Sequence, residues 1–257
     1  MQFRQIRSAT LNIEYAGKRF LIDPMLDPKG AQPGYPATVN SHLDNPLVDL
    51  PCAIEEVIDV DAVIVTHTHP DHWDETARKR IPKDLLVFAQ TPYDEWQIQL
   101  AGFRNTRVLD GATDFAGITL SKTPGQHGRG ALLEGLYGQI LGDVCGVVFR
   151  HPDEKTLYLA GDTVWYEGVA ETLANYQPDV IILNSADARV LPDEPIIMGT
   201  EDVREVYRAA PGATLIASHM DAVNPGTLSR AALRRFLDDE GMTDRVLVPE
   251  DGERYTF

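Results

Sequence analysis

The stretch Ala62-Val63-Ile64-Val65-Thr66-His67-Thr68-His69-Pro70-Asp71-His72 decides how this 257-residue chain is read. Four apolar residues in succession have the character of a buried strand. Directly after them, four metal-ligand side chains fall within the six residues 67 to 72. In extended chain His67 and His69 point to the same side, so both can bind one metal. Pro70 bends the path, and Asp71 and His72 can then address a second. Packing alone gives no reason to concentrate polar ligands behind a buried strand.

Three more candidates share this context. His127 follows Ile118-Thr119-Leu120 and Thr123-Pro124-Gly125, Asp162 follows Leu157-Tyr158-Leu159-Ala160-Gly161, and His219 follows Leu215-Ile216-Ala217. A strand end is a rigid platform from which a ligand reaches a shared cleft, and Gly161 allows a tight turn before Asp162. The expected division gives His67, His69 and His127 to one metal and Asp71, His72 and His219 to the other, with Asp162 between. Imidazole and carboxylate donors without thiolate suit Zn²⁺ or Mn²⁺ and admit Fe²⁺. His42, in a proline-rich segment, and His151, beside Pro152-Asp153, are read as solvated or locally hydrogen-bonded.

Whole-chain properties narrow the classes. Lys and Arg total 23 against 39 Asp and Glu, a net charge of −16, and no basic cluster is present. That balance argues against nucleic acid and for a small-molecule substrate. Apolar content of 43% supports a sizeable core. No apolar run approaches the roughly 20 residues that span a bilayer, so no membrane association is expected. The N-terminus reads straight into a strand with no secretory pattern, which makes the cytoplasm the default. Cys52 and Cys145 are read as buried thiols rather than a disulfide. The sequence is compatible with a homo-oligomer.

The organisation reads as one domain over residues 1–257. Residues 3 to 23 suggest a hairpin turning at Ala16-Gly17-Lys18. Residues 24 to 51, with Pro at 24, 28, 33, 36, 46 and 51, form a long loop insertion expected to border the active site. Strands are expected at 61–66, 85–89, 106–109, 114–122, 143–150, 156–160, 180–183, 214–218 and 246–249. Helices are expected at about 52–58, 73–80, 92–101, 167–176, 200–209 and 227–239. Hairpin-like and alternating regions together favour two stacked mixed sheets with helices outside.

The quoted residues resemble the metallo-β-lactamase fold superfamily. Its His-x-His-x-Asp-His motif matches residues 67 to 72, its third histidine His127, its bridging aspartate Asp162 and its last histidine His219. The resemblance runs from about residue 6 to 250 and implies an α/β fold, a four-layer αββα sandwich with a metal pair at one rim. Within the superfamily the compact length looks most like the branch of metal-dependent hydrolases containing L-ascorbate-6-phosphate lactonase. Asn184-Ser185-Ala186-Asp187 and Met220-Asp221-Ala222-Val223-Asn224 match no known substrate signature.

The expected function is metal-dependent hydrolysis, in which a metal-bridging hydroxide attacks a small ester or lactone. Asp71 is the catalytic candidate, orienting the nucleophile and taking its proton. Asp23 has two readings: holding a ligand histidine by its other nitrogen, or capping the hairpin beside Pro24. The runner-up activity is hydrolysis of a small phosphodiester. A non-hydrolytic metal-binding or redox role on the same fold is the other alternative, and this chain shows no flavin segment to support it.

Overall fold

A computed structural model describes residues 1–257. The first sheet takes β1 (Gln2–Arg7), β2 (Thr10–Tyr15), β3 (Lys18–Ile22), β4 (Ala62–Val65), β5 (Leu86–Ala89) and β6 (Thr106–Val108). The second begins with β7 (Thr113–Phe115), β8 (Ile118–Pro124), β9 (Cys145–Arg150), β10 (Leu157–Leu159) and β11 (Val180–Asn184). A small hairpin, β12 (Arg189–Val190) and β13 (Glu194–Pro195), stands apart. β14 (Thr214–Ser218) and β15 (Val246–Leu247) complete the second sheet, and β16 (Arg254–Thr256) returns to the first. The orders are β16-β1-β2-β3-β4-β5-β6 and β15-β14-β11-β10-β9-β8-β7. The sheets stack, and helices cover both outer faces, giving the four-layer αββα sandwich.

Continuous apolar runs build these layers because both faces of a central strand are covered. In β4, Ala62 and Ile64 face the space between the sheets, packed with Phe20, Phe88, Phe149 and Ile182. Val63 and Val65 face outward, onto Trp73, Ala77 and Ile98. β11 does the same: Val180 and Ile182 point inward, while Ile181 and Leu183 meet the opposite helix layer. The first layer is α1 (Ile54–Val57), α2 (Glu75–Arg80) and α3 (Pro92–Leu100). Asp74 caps α2 by accepting from the Ala77 N–H, and Thr91 caps α3 ahead of Pro92, both satisfying otherwise orphan donors. Across the molecule lie α4 (Gly135–Leu141), α5 (Glu167–Tyr176), α6 (Thr200–Ala209) and α7 (Arg230–Glu240).

Strand direction places the site. β3, β4, β5 and β6 run parallel, as do β10, β11, β14 and β15. β1 lies two antiparallel steps from β3, and β8 two from β10. The C-terminal ends of β1, β3, β4, β8, β10, β11 and β14 therefore all meet one rim, where ligands bind in open α/β sheets.

Several local expectations need correction. Residues 2 to 22 make three strands, because Ser8 adopts φ +54° and turns the chain before β2. The single strand expected at 114–122 is a hairpin: Ala116 and Gly117 take φ +55° and +85°, the pairing of a tight two-residue turn. The last helix starts at Arg230 rather than 227, since Ser229 is its cap and Thr227 instead bonds Asp187. The hairpin β12–β13, the short helix α4 and strand β16 were not expected. Cys145 is buried, Cys52 is only half-buried, and neither forms a disulfide.

Candidate metal centre

Each of the seven side chains singled out from the sequence leaves its strand end toward the same rim. They form two groups whose ligand atoms lie within 4.8 Å of one another: His67, His69 and His127, and Asp71, His72, Asp162 and His219. In the first group, His67 Nε2 sits 2.9 Å from His69 Nδ1. In the second, His219 Nε2 lies 3.2 Å from His72 Nε2 and 3.4 Å from Asp71 Oδ2. Asp162 spans both groups, with Oδ2 3.3 Å from His72 Nε2 and 3.7 Å from His127 Nε2. His42 and His151 belong to neither, and His151 Nδ1 accepts from the Asp153 N–H within its own turn.

The far side of each ring explains its orientation. His72 Nδ1 donates to Asp23 Oδ2 at 2.9 Å. His127 Nδ1 donates to the Ile196 carbonyl, and His69 Nε2 to the Ile140 carbonyl, each at 2.9 Å. These partners can only accept, so in the neutral ring each fixes the tautomer and turns the other ring nitrogen, with its lone pair, into the cleft. His219 Nδ1 approaches Ser8 Oγ at 3.3 Å, and Thr66 Oγ1 approaches His67 Nδ1 at the same distance. Lone pairs and two carboxylates converging in a buried space repel one another unless a cation lies among them. The residues present therefore fit divalent metal ions, and partners behind the ligands are the usual means of orienting them.

The electrostatics agree. Burial drives His67 well below the ordinary imidazole range and lowers His127 to about 4, which keeps both rings neutral, as ligands must be. Burial opposes charge on His72 as well, but Asp162, Asp23 and Asp71 overcome it and raise its pKa well above the ordinary value. Asp71 is held at about 2: burial works against the carboxylate, and the neighbouring His72 and His219 outweigh it. The cluster thus presents a strongly negative field at the Asp162 end, where a cation is most favoured.

The backbone carries strain here. Asp23 has φ +44° and His219 φ +67°, a left-handed conformation that side chains other than glycine seldom adopt. Asp23 is locked by accepting from the Thr66 N–H and Thr66 Oγ1 at 2.7 Å each, which assigns it to holding His72. At Gly161, φ is +68° and a Cβ would strike the Cys145 carbonyl, so glycine is required to deliver Asp162.

Other contributors carried no sequence signal. Asn184 Nδ2 donates to Asp162 Oδ1 at 2.6 Å. Buried Arg7 donates to the carbonyls of Met25, Asp27 and Val48, tying both ends of the 24–51 segment to β1. Asn224, also buried, accepts from the Tyr35 N–H and Asn45 Nδ2 and donates to Thr38 Oγ1 and the Val39 carbonyl. Tyr35, Pro36, Ala37 and Thr38 are thereby fixed as one wall of a cavity of about 280 Å³ that opens onto His69, Asp71, His127, Asp162 and His219. Ile140 and Leu141 from α4, with Val190 and Ile196, form much of the remaining wall, and no Lys or Arg lines it.

Residues 18–220 match the family described as the Beta-lactamase superfamily domain. The chain belongs to that superfamily. Within it, this β-lactamase superfamily member is 49% identical over 258 residues to the UPF0173 protein YddR of Bacillus subtilis, covering 100% of both chains, which places it in the UPF0173 family. A UPF0173 metal-dependent hydrolase of Herpetosiphon aurantiacus is 26% identical over 245 residues, covering 94% of this chain and 91% of its own. Among solved structures, the isothiocyanate hydrolase from Delia radicum gut bacteria superposes with a TM-score of 0.98 at 47% identity, covering 100% and 99% of the two chains. A possible metal-dependent hydrolase from Veillonella parvula gives the same TM-score and coverage at 42% identity. The UPF0173 chain is a metal-dependent hydrolase with two clusters able to hold divalent ions. No helix is long and apolar enough to cross a membrane.

Proposed function

We propose that this UPF0173 enzyme hydrolyses a small, largely apolar molecule at an electrophilic carbon, and that the substrate is an isothiocyanate, R–N=C=S. The carrying observation is the cavity: about 280 Å³, walled by Pro36, Ala37, Ile140, Leu141, Val190 and Ile196, without a cation. That volume lies near the lower end of the about 300–1,000 Å³ of small-molecule sites. A phosphodiester would bring a charge that this wall does not match, whereas an alkyl or arylalkyl group is buried well by it. Similarity to the isothiocyanate hydrolase supports the same reading. The seven clustered residues are its proposed ligands, for Zn²⁺ or Mn²⁺ with Fe²⁺ also compatible.

When bound, divalent ions supply Lewis acidity to the attacking water and to the electrophile. The chain's own residues do the rest. The apolar walls seat R and exclude bulk water. Asp71, ionised and beside His219, accepts a proton from water as its oxygen bonds the central carbon, and the C=N π pair moves to nitrogen. That nitrogen takes the proton, giving a thiocarbamic acid. The acid's O–H proton then passes to nitrogen as the C–N bond breaks and its electron pair leaves with nitrogen, yielding R–NH₂ and COS, so both protons and the oxygen of the water are accounted for. An ester or lactone carbonyl, the electrophile that the lactonase resemblance implies, is the second reading, because it needs the same proton transfer at Asp71.

The test is turnover of metal-reconstituted protein with phenethyl isothiocyanate, a γ-lactone, 4-nitrophenyl acetate and bis(4-nitrophenyl) phosphate. Amine and COS in equal amounts are expected from the first. Turnover of the phosphodiester alone would overturn the proposal, and preference for the lactone or ester would replace the substrate while keeping the electrophilic carbon.

A further inference from the structure

The outward faces of two neighbouring helices have the composition of a buried surface. Eight large hydrophobic residues of the chain are exposed, and six of them lie here. On α3 they are Tyr93, Trp96 and Leu100, with the Tyr93 and Trp96 ring centroids 5.8 Å apart. On α4 and the 3₁₀ turn before it (Gly130–Leu133) they are Leu133, Leu136 and Ile140. Both sets repeat at i, i+3 and i+7, the spacing of an apolar helix stripe. Tyr93 and Ile140 line one groove, so the stripes adjoin. The inner sides are already used: Ile98 packs beneath α3, and Leu132 and Leu141 beneath α4 and its turn. Helix α4 is thus apolar on both sides and has no charged residue, as helices covered from both sides do. By contrast α6 and α7, covered on one side, carry interleaved acidic and basic residues.

We infer that this face joins two copies of the chain in a symmetric dimer. The six side chains are between 46% and 72% exposed. At about 200 Å² for a large side chain they present about 700 Å², inside the about 600–1,000 Å² that one partner brings to a stable interface. A patch above about 600 Å² is larger than a monomer ordinarily leaves uncovered. Charge selects the occupant. The chain carries −16, and two copies repel unless they meet where charge is sparse. Both α3 carboxylates are engaged within the chain: Asp94 is buried and accepts from Thr68 Oγ1 and Thr91 Oγ1, and Glu95 accepts from Thr106 Oγ1. A lipid surface would be gripped by Lys or Arg flanking the apolar stripe, and neither α3 nor α4 has one. A two-fold axis lets one patch serve both partners, with Tyr93 and Trp96 as the residue types that anchor such contacts. Ile140 also lines the cavity at the metal centre, so the second copy backs a wall of the site.

Light scattering on metal-loaded protein at tens of micromolar tests this. Wild type should run at twice the mass of one chain. Leu136→Glu and Trp96→Glu each place a charge in the face of both partners. Either should raise the dissociation constant at least about a hundredfold, since losing one anchor costs about thirtyfold or more and each dimer loses two. Both side chains are exposed in the single chain, so the far-ultraviolet circular dichroism should not change, and if one variant misfolds the other decides. Ala231→Glu, at an exposed position on α7, adds the same charge and should leave the dimer intact. Wild type at the mass of one chain, a dimer that survives both substitutions, or equal weakening by Ala231→Glu would overturn the inference. So would wild type that stays monomeric and floats with phosphatidylcholine vesicles, which would give the face to lipid.

Discussion

Replacing Asn224 by alanine should loosen the substrate pocket without touching a metal ligand. The Asn224 side chain is fully used, accepting from the Tyr35 N–H at 3.0 Å and Asn45 Nδ2 at 2.8 Å and donating to Thr38 Oγ1 at 2.7 Å and the Val39 carbonyl at 2.9 Å. At about 0.5–1.5 kcal/mol net per bond, complete loss costs about 2–6 kcal/mol. Water entering the space re-pairs some of these groups, so about 3 kcal/mol is expected. In a chain this size that lowers the melting temperature by about 6–12 °C. Freed from its anchor, the Tyr35–Thr38 wall no longer holds substrate in register, and kcat/KM should drop at least tenfold. Thermal melts and steady-state kinetics on metal-loaded protein check both effects, with metal content measured in parallel. A shift under about 2 °C with unchanged kcat/KM would show that Arg7 and the chain ends suffice to hold the segment, and the reasoning would fall.

Asp71→Asn should reduce turnover more than any other change that leaves most of the metal bound, by at least about a hundredfold; near-normal kcat at full metal content would remove Asp71 from the proton transfer. Asp23→Asn keeps shape but puts a neutral amide against His72 Nδ1, and metal affinity should weaken about 10–100-fold. Competition with a chelating dye measures it, and an unchanged affinity would contradict the orienting role.

The site was legible where its cause is local. His67, His69, Asp71, His72, His127, Asp162 and His219 each sit just beyond an apolar run, so strand ends and chemistry could be read together. The partners behind them were not legible, because they are set by contacts distant in sequence. Asn224 reaches Asn45 across 179 positions, and His69 meets Ile140 across 71. Helix α4 was missed because five glycines at 128, 130, 135, 138 and 142 break up the apolar periodicity around it. The 114–122 region read as one strand because alanine, not asparagine, occupies the first left-handed turn position at 116. Asp23 was readable only as two alternatives, since its choice of His72 over a turn role depends on β3 and β4 lying side by side.

The seven clustered side chains come from both sheets: His67, His69, Asp71 and His72 follow β4 of the first, while His127, Asp162 and His219 follow β8, β10 and β14 of the second. Ions bound by both groups would act as rivets across the seam between the two halves. Any free energy of metal binding specific to the native state adds to its stability, about 4 kcal/mol when free metal exceeds the dissociation constant a thousandfold. Metal supply would then govern how long the folded enzyme survives as well as how fast it works. Starvation for the ion would reduce the amount of protein through unfolding and proteolysis, beyond the activity lost from each molecule.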